Sequence, residues 1–423
     1  MAVIKFRNPY RQLPTGDDYE DDGYDYEEED SRIFIDEAVE DSERAKERRG
    51  EILRLILHGG LIVGAAAAFL ALVLFLASQR VYTNASTDVI LETDSQDDGT
   101  EFTALGSNVV YYSKDGASCL NAGGSLIWSQ SFEMQQPLTS IAGDVMAIAD
   151  YNGSTIYLLN SKEILGPVNT NMPIRALSVS ESGEVAAVLA DTDVTWLYLF
   201  DSSGNTIAYF KTTMEQSGYP LSVAVSPSGE LVCVSHLLAE GDGISSSIAF
   251  YNFGNVGQNV AENNVSGFNY DDEIFPVTVY LDNSTCAAVS DSRIAFFTGR
   301  EIPQNGSNAM FSEELKGVYT GESYIGLLFA ETSGESEYSL QIYDASGEVT
   351  GTVPVDMDFT DIRIAGKNVF ISNSTQLQIY NVSGRQRYSG TFEEEIRRVI
   401  PRNDTMSKIY LATGNGLEQM TLR

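Results

Sequence analysis

The chain has little of what most covalent and catalytic chemistry uses. Its 423 residues contain two histidines, His58 and His236, and three cysteines, Cys119, Cys233 and Cys286. A single histidine outside the apolar stretch makes no recognisable triad. Three scattered cysteines make neither a disulfide framework nor a zinc site, so no disulfide is expected. Cys233 in LVCVS and Cys286 in TCAAVS read as small buried hydrophobes in strands. Basic side chains are scarce as well, 26 against 60 acidic, for a net charge of −34. That deficit excludes nucleic acid, whose phosphates demand basic patches, and argues against docking on anionic lipid headgroups. Cations, basic proteins and neutral glycans are left as partners. Long apolar runs are missing too, with one exception.

The exception, Leu55 to Ala77, holds no Asp, Glu, Lys or Arg. At about 1.5 Å per residue it is long enough for a bilayer core of about 30 Å. Arg44, Lys46, Arg48, Arg49 and Arg54 precede it, and Arg80 stands almost alone after it. Basic flanks stay cytoplasmic, so the expected arrangement is a cytoplasmic tail (1–54), one transmembrane helix (55–77) and an extracytoplasmic domain (78–423). A cleaved signal peptide has a shorter apolar region near the N-terminus, which favours a retained signal anchor in the cell membrane. Gly60, Gly64 and Ala68 form a small-residue stripe of the kind that lets two membrane helices approach, the basis for a candidate homodimer.

In the tail, DDYEDDGYDYEEED (17–30) is a self-repelling acidic block without aliphatics, which predicts disorder. Before it, Phe6, Arg7, Tyr10 and Arg11 make a basic-aromatic segment suited to docking a cytosolic partner. From Asp36 to Glu51 the sequence favours a juxtamembrane helix, with Glu40–Arg44 at helical spacing.

From about residue 102 the pattern changes to short β-runs separated by turns. Asp201-Ser202-Ser203-Gly204, Asp344-Ala345-Ser346-Gly347 and Asn381-Val382-Ser383-Gly384 each follow an apolar or aromatic strand. A second turn, Ser180-Glu181-Ser182-Gly183-Glu184, is echoed by Ser226-Pro227-Ser228-Gly229-Glu230. First strands begin near Phe102, Leu138, Ile174, Ser222, Val277, Gly317, Asp361 and Arg397, a mean spacing of about 42 residues that matches propeller repeats of about 40–45. The expected fold is an all-β propeller of eight blades, with seven as the alternative and a sandwich as the competing architecture. The last unit is one strand short, and a strand such as Asp88–Glu92 would complete it. Closure would remove exposed sheet edges in a domain without disulfides.

Val109 to Phe132 resembles a repeat of quinoprotein-type propellers, with Asp115-Gly116, Gly123-Gly124 and the closing Trp128. Ser222 to Ser235 resembles the WD40 and TolB-type pattern, with SPSGE at its hairpin. The layout of acidic tail, basic flank, single span and weak propeller resembles the bacterial membrane propellers of domain-of-unknown-function family 5711. That resemblance implies a bacterial surface protein and implies no activity.

No motif carries chemistry. Neither adjacent cysteines nor a CxxCH haem site accompanies the quinoprotein-like repeat, and no cofactor is expected. Asp356, Asp358 and Asp361 have a spacing calcium could use, without the Gly and distal Glu of an EF-hand loop. Sequons at Asn264, Asn283, Asn305, Asn373 and Asn381 read as turn formers. The inserts 237–247 and 253–275 enlarge the fourth unit, and loops on a rigid scaffold commonly carry recognition. There Phe268, Tyr270 and Phe275 with Asp271 and Asp272 form a candidate aromatic-acidic contact surface. The expected function is a non-enzymatic binding platform for an extracytoplasmic protein or glycan. The alternatives are a cell-wall glycan enzyme, whose paired carboxylates a sequence does not reveal, and a transmembrane signal receptor.

Overall fold

The computed structural model describes residues 58–70, 72–73, 80–92, 99–191, 194–212, 217–240, 243–331, 336–402 and 405–423. The chain divides into two compact units, Met1–Gln79 and Arg80–Arg423. In the first, residues 58–70 and 72–73 are helical, with Gly60, Gly64 and Ala68 exposed at helical spacing on one face. Open space surrounds Gly60 and Gly64. No helix among the described residues is long and apolar enough to cross a membrane. The ends of the 55–77 stretch, the acidic block, the juxtamembrane segment and Phe6, Arg7, Tyr10 and Arg11 lie outside the described residues.

The second unit is a ring of eight four-stranded antiparallel sheets. In chain order these are blade 1 (101–131), blade 2 (137–169), blade 3 (174–212), blade 4 (219–271), blade 5 (277–310), blade 6 (315–355), blade 7 (361–391) and blade 8 (396–422). Blade 8 contributes only three strands of its own. Its fourth is Ala85–Glu92, which pairs antiparallel with Gly416–Leu422, Ala85 opposite Leu422. The expected closing strand is therefore present and begins three residues earlier than the sequence suggested. The seven-bladed and sandwich alternatives fall with the same observation.

Local chemistry accounts for the recurring turns. The Asp201 carboxylate accepts the Ser203 and Asn205 N–H groups (2.9 and 2.8 Å), and Asp344 and Asn381 cap their turns in the same way. Such side-chain caps stand in for a backbone bond and nucleate the reversal. The turn glycines, Gly204, Gly347 and Gly384, sit at φ of 83°, 78° and 85°, a region closed to most side chains. At Gly384 a Cβ would also meet Thr352 O at 2.3 Å. In the second turn class Ser180 Oγ accepts Glu184 N–H (2.9 Å) and Ser226 Oγ accepts Leu231 N–H (3.0 Å).

The core is distributed between blades. Val185, Ala187 and Leu189 of blade 3 pack on Ile156 and Leu158 of blade 2, whereas Ala186 and Val188 face blade 4 and pack on Val232 and Val234. A second strand buried on both faces needs a continuous apolar run, which is what VAAVLA supplies. Trp128 closes blade 1 by donating its indole N–H to Asn160 O of blade 2 (2.8 Å). The thiols of Cys119, Cys233 and Cys286 are free and buried, and burial pushes Cys119 up to about 12.

Two expected loops are strands. Residues 237–240 and 243–247 belong to the paired strands Leu231–Glu240 and Gly243–Asn252, matched out to Glu240 opposite Gly243. Residues 253–275 contain two short 3-10 turns and then the outer strand Asn264–Asp271. The Gly and Ser residues that suggested a loop sit in a strand whose ladder bonds are already satisfied on both sides.

Candidate functional site

The first strands of blades 1 to 7, with Pro401 just after that of blade 8, line a central cavity of about 740 Å³. Its wall is mostly small and β-branched, including Thr103, Thr139, Val179, Val223, Val277 and Val318. Serines stitch neighbouring blades together there. Ser140, Ser178 and Ser222 each accept a backbone N–H from the next blade, Val179 (3.0 Å), Val225 (3.1 Å) and Thr278 (3.1 Å) respectively. Ser178 and Ser222 lie in the alternating strands ALSVS and SVAVS that flagged the repeat.

At one mouth of the cavity a charge network joins blades 7, 8 and 1. Asp361 accepts from Arg363 Nε (2.8 Å) and Arg398 Nη1 (3.2 Å), and Arg398 also pairs with Glu101. Burial and then the nearby Asp361 charge raise the Tyr319 phenol above its ordinary value. Both carboxylates are engaged by guanidinium groups. The network therefore locks the junction where the two ends of the propeller meet.

Antiparallel blades give the ring two distinct faces. One, here the distal face, carries the second-to-third-strand turns and the blade-to-blade connections. The other, the proximal face, carries the first-to-second and third-to-fourth turns, and residues 80–84 join the ring there. Exposed acids crowd the distal connections: Asp271 and Asp272, Glu313 and Glu314, Asp356 and Asp358, and Glu393 to Glu395. Burial, and then a hydrogen bond and the charge of Glu394, raise the Glu418 carboxyl above its ordinary value, opposed by hydrogen bonds from Thr413 and Thr87.

The structure brings the aromatic-acidic segment together and divides it by role. Phe275 is fully buried. Phe268 packs on Phe297 of blade 5 (5.0 Å between centroids) and Tyr270 on Phe275 (4.7 Å). These rings fill the blade 4–5 interface, because a propeller's blades diverge outward and large side chains are needed to fill the widening gap. Asp271 and Asp272 alone face solvent. Beside them Glu273 is buried, accepts from Ser290 (2.7 Å) and Ser292 (3.0 Å), and lies 3.2 Å from Arg293 Nε. Asp361 of the calcium-like spacing is held by arginines, while Asp356 and Asp358 are exposed. His236 is buried, and its imidazole is depressed to about 4 by desolvation, with a hydrogen bond to the Ser247 backbone opposing. The Arg398–Glu101 pair left no trace in the sequence, its partners being 297 positions apart.

Residues 78–422 match DUF5711, a family of unknown function. The chain belongs to that family. Among curated proteins, none matches the sequence. Similar solved structures include BamB from Moraxella catarrhalis, at 14% identity and a TM-score of 0.45, over 81% of this chain and 100% of that one. AztD from Citrobacter koseri is similar at 10% identity and a TM-score of 0.45, over 70% and 86%. Hsv2 of Kluyveromyces lactis is similar at 12% identity and a TM-score of 0.44, over 69% and 98%.

Proposed function

We propose that this DUF5711 protein is a single-pass membrane protein whose propeller serves as a non-enzymatic binding platform outside the cytoplasm, and that its distal face receives a protein partner with a basic surface. The observation that carries this reading is the line of exposed acids along the distal connections of blades 4 to 8. Complementary potentials of this kind steer association and fix orientation. Membrane anchoring is supported by the helix at 58–70, where Leu61, Ile62, Val63, Phe69 and Leu70 are all exposed and apolar, a surface that calls for lipid.

The test is site-specific photo-crosslinking in cells at Asp272 and Asp358 on the distal face, against Ser203 and Ser346 on the proximal face. The expected result is a basic protein captured only from distal positions, weakened by salt and lost in the Asp271→Asn, Asp272→Asn, Glu313→Gln, Glu314→Gln variant. Capture from proximal positions alone, or hydrolysis of wall glycan by the purified chain, would overturn it.

A further inference from the structure

The ring also sorts its exposed apolar side chains by face. Leu126, Ile207, Val260, Ile302 and Val349 are 60%, 46%, 40%, 45% and 47% exposed. Each stands in or just after the third-to-fourth-strand turn of its blade, in blades 1, 3, 4, 5 and 6, and so on the proximal rim. The distal face exposes only Ile244, Ile274 and Met310 among the described large apolar side chains. On the same proximal face Lys367, Arg385, Arg402 and Lys408 gather in the turns of blades 7 and 8, beside Arg80. The one acid in those turns is Asp404, which lies outside the described residues.

The path of the chain says what covers this rim. Arg80 is pinned to it: Arg387 Nε donates to Arg80 O (2.5 Å) and Tyr82 N–H donates to Arg387 O (2.8 Å). Tyr82 packs into the blade 7–8 core. Arg80 stands three positions after Ala77, the last of the apolar stretch, a step of at most about 11 Å. We infer that the proximal face of the propeller docks on the bilayer surface, aliphatic side chains entering the interface around the rim and the basic side chains of blades 7 and 8 meeting lipid phosphates next to the tether. This rests on the membrane reading above and goes beyond it. A compact protein touches one or two blades, whereas five rim positions spread around a ring are met together by a plane. Whole-chain acidity argues against such docking, and Glu262, Glu301 and Glu348 share the turns of Val260, Ile302 and Val349, so the electrostatic part of the contact is confined to the basic turns of blades 7 and 8.

The test uses the full chain in liposomes of phosphatidylcholine and phosphatidylglycerol. Single cysteines at Ile207 and Val349 (proximal) and at Asp272 and Asp356 (distal) are labelled with the environment-sensitive dye NBD. The three native thiols are buried and stay unlabelled in the folded protein. Expected are blue-shifted emission and at least twofold quenching by lipid-borne nitroxides at the proximal positions, with neither at the distal ones. Absence of proximal quenching in a chain that resists alkaline extraction would overturn the docking and leave the anchoring intact. Release by alkaline extraction would overturn both. A blue shift that grows with the protein-to-lipid ratio and is not quenched from the lipid would assign the rim to a second ring and overturn the docking.

Discussion

Acidification should destabilise the propeller through His236. The side chain sits in the second strand of blade 4, only 2% exposed, with Nε2 unpartnered. Desolvation lowers its imidazole from the ordinary 6.5 to about 4, because burial penalises the cation. The unfolded chain therefore binds a proton that the folded chain refuses. Stability from the neutral imidazole is complete above the unfolded value, and is lost as pH falls through the window from 6.5 to about 4. At pH 5 the unfolded imidazole is almost wholly charged and the folded one almost wholly neutral, a loss of about 2 kcal/mol relative to pH 7 that reaches about 3 kcal/mol at pH 4. The assay is urea unfolding of the full chain in detergent at pH 7 and pH 5, followed by circular dichroism. The carboxylates titrate in the wild type and in His236→Gln alike, so the difference between the two proteins isolates the histidine. The wild type should lose about 2 kcal/mol more than the variant between those pH values. Equal losses would refute the argument and show that this imidazole takes up its proton in the folded state.

Glu273→Ala removes a buried carboxylate and strands Arg293 and two serines. It should cost about 3–5 kcal/mol, read by chemical denaturation, and a cost under about 1 kcal/mol would show that the pair adds nothing to the blade 4–5 junction. A chain beginning at residue 93 lacks the closing strand and exposes the edge of Gly416–Leu422. It should aggregate in light scattering, while one beginning at residue 80 stays monodisperse.

Much of the architecture was legible because the physics behind it is local. Ser, Asp and Gly at fixed offsets make a capped reversal with a left-handed glycine wherever they occur, so Asp201–Gly204 and Asp344–Gly347 announced hairpins without reference to the rest of the chain. An Ala/Val-rich run such as VAAVLA announced a strand covered on both sides. Repetition at a near-constant interval then left few folds open, and the shortfall of one strand in the last unit pointed to closure by the N-terminal strand.

The site was less legible. Phe268, Tyr270 and Phe275 stand among glycines, asparagines and acids, a composition that suggests a surface loop, and only the neighbouring blade shows that the rings are packing. Net charge is a sum over the sequence and carries no direction. Alternating strands send successive turns to opposite faces, so Asp271 and Glu393, 122 positions apart, share one face, while Lys367 and Arg402 share the other. The sequence by itself determined the blades, their turns, the apolar stretch and the poverty of catalytic groups, all properties of neighbours along the chain. Closing the ring decided the rest: which acids stand together, which arginines hold Asp361 and Glu101, which aromatics vanish between blades, and which face receives the incoming chain. Each of those depends on distances between residues that the sequence separates and only tertiary contact brings together.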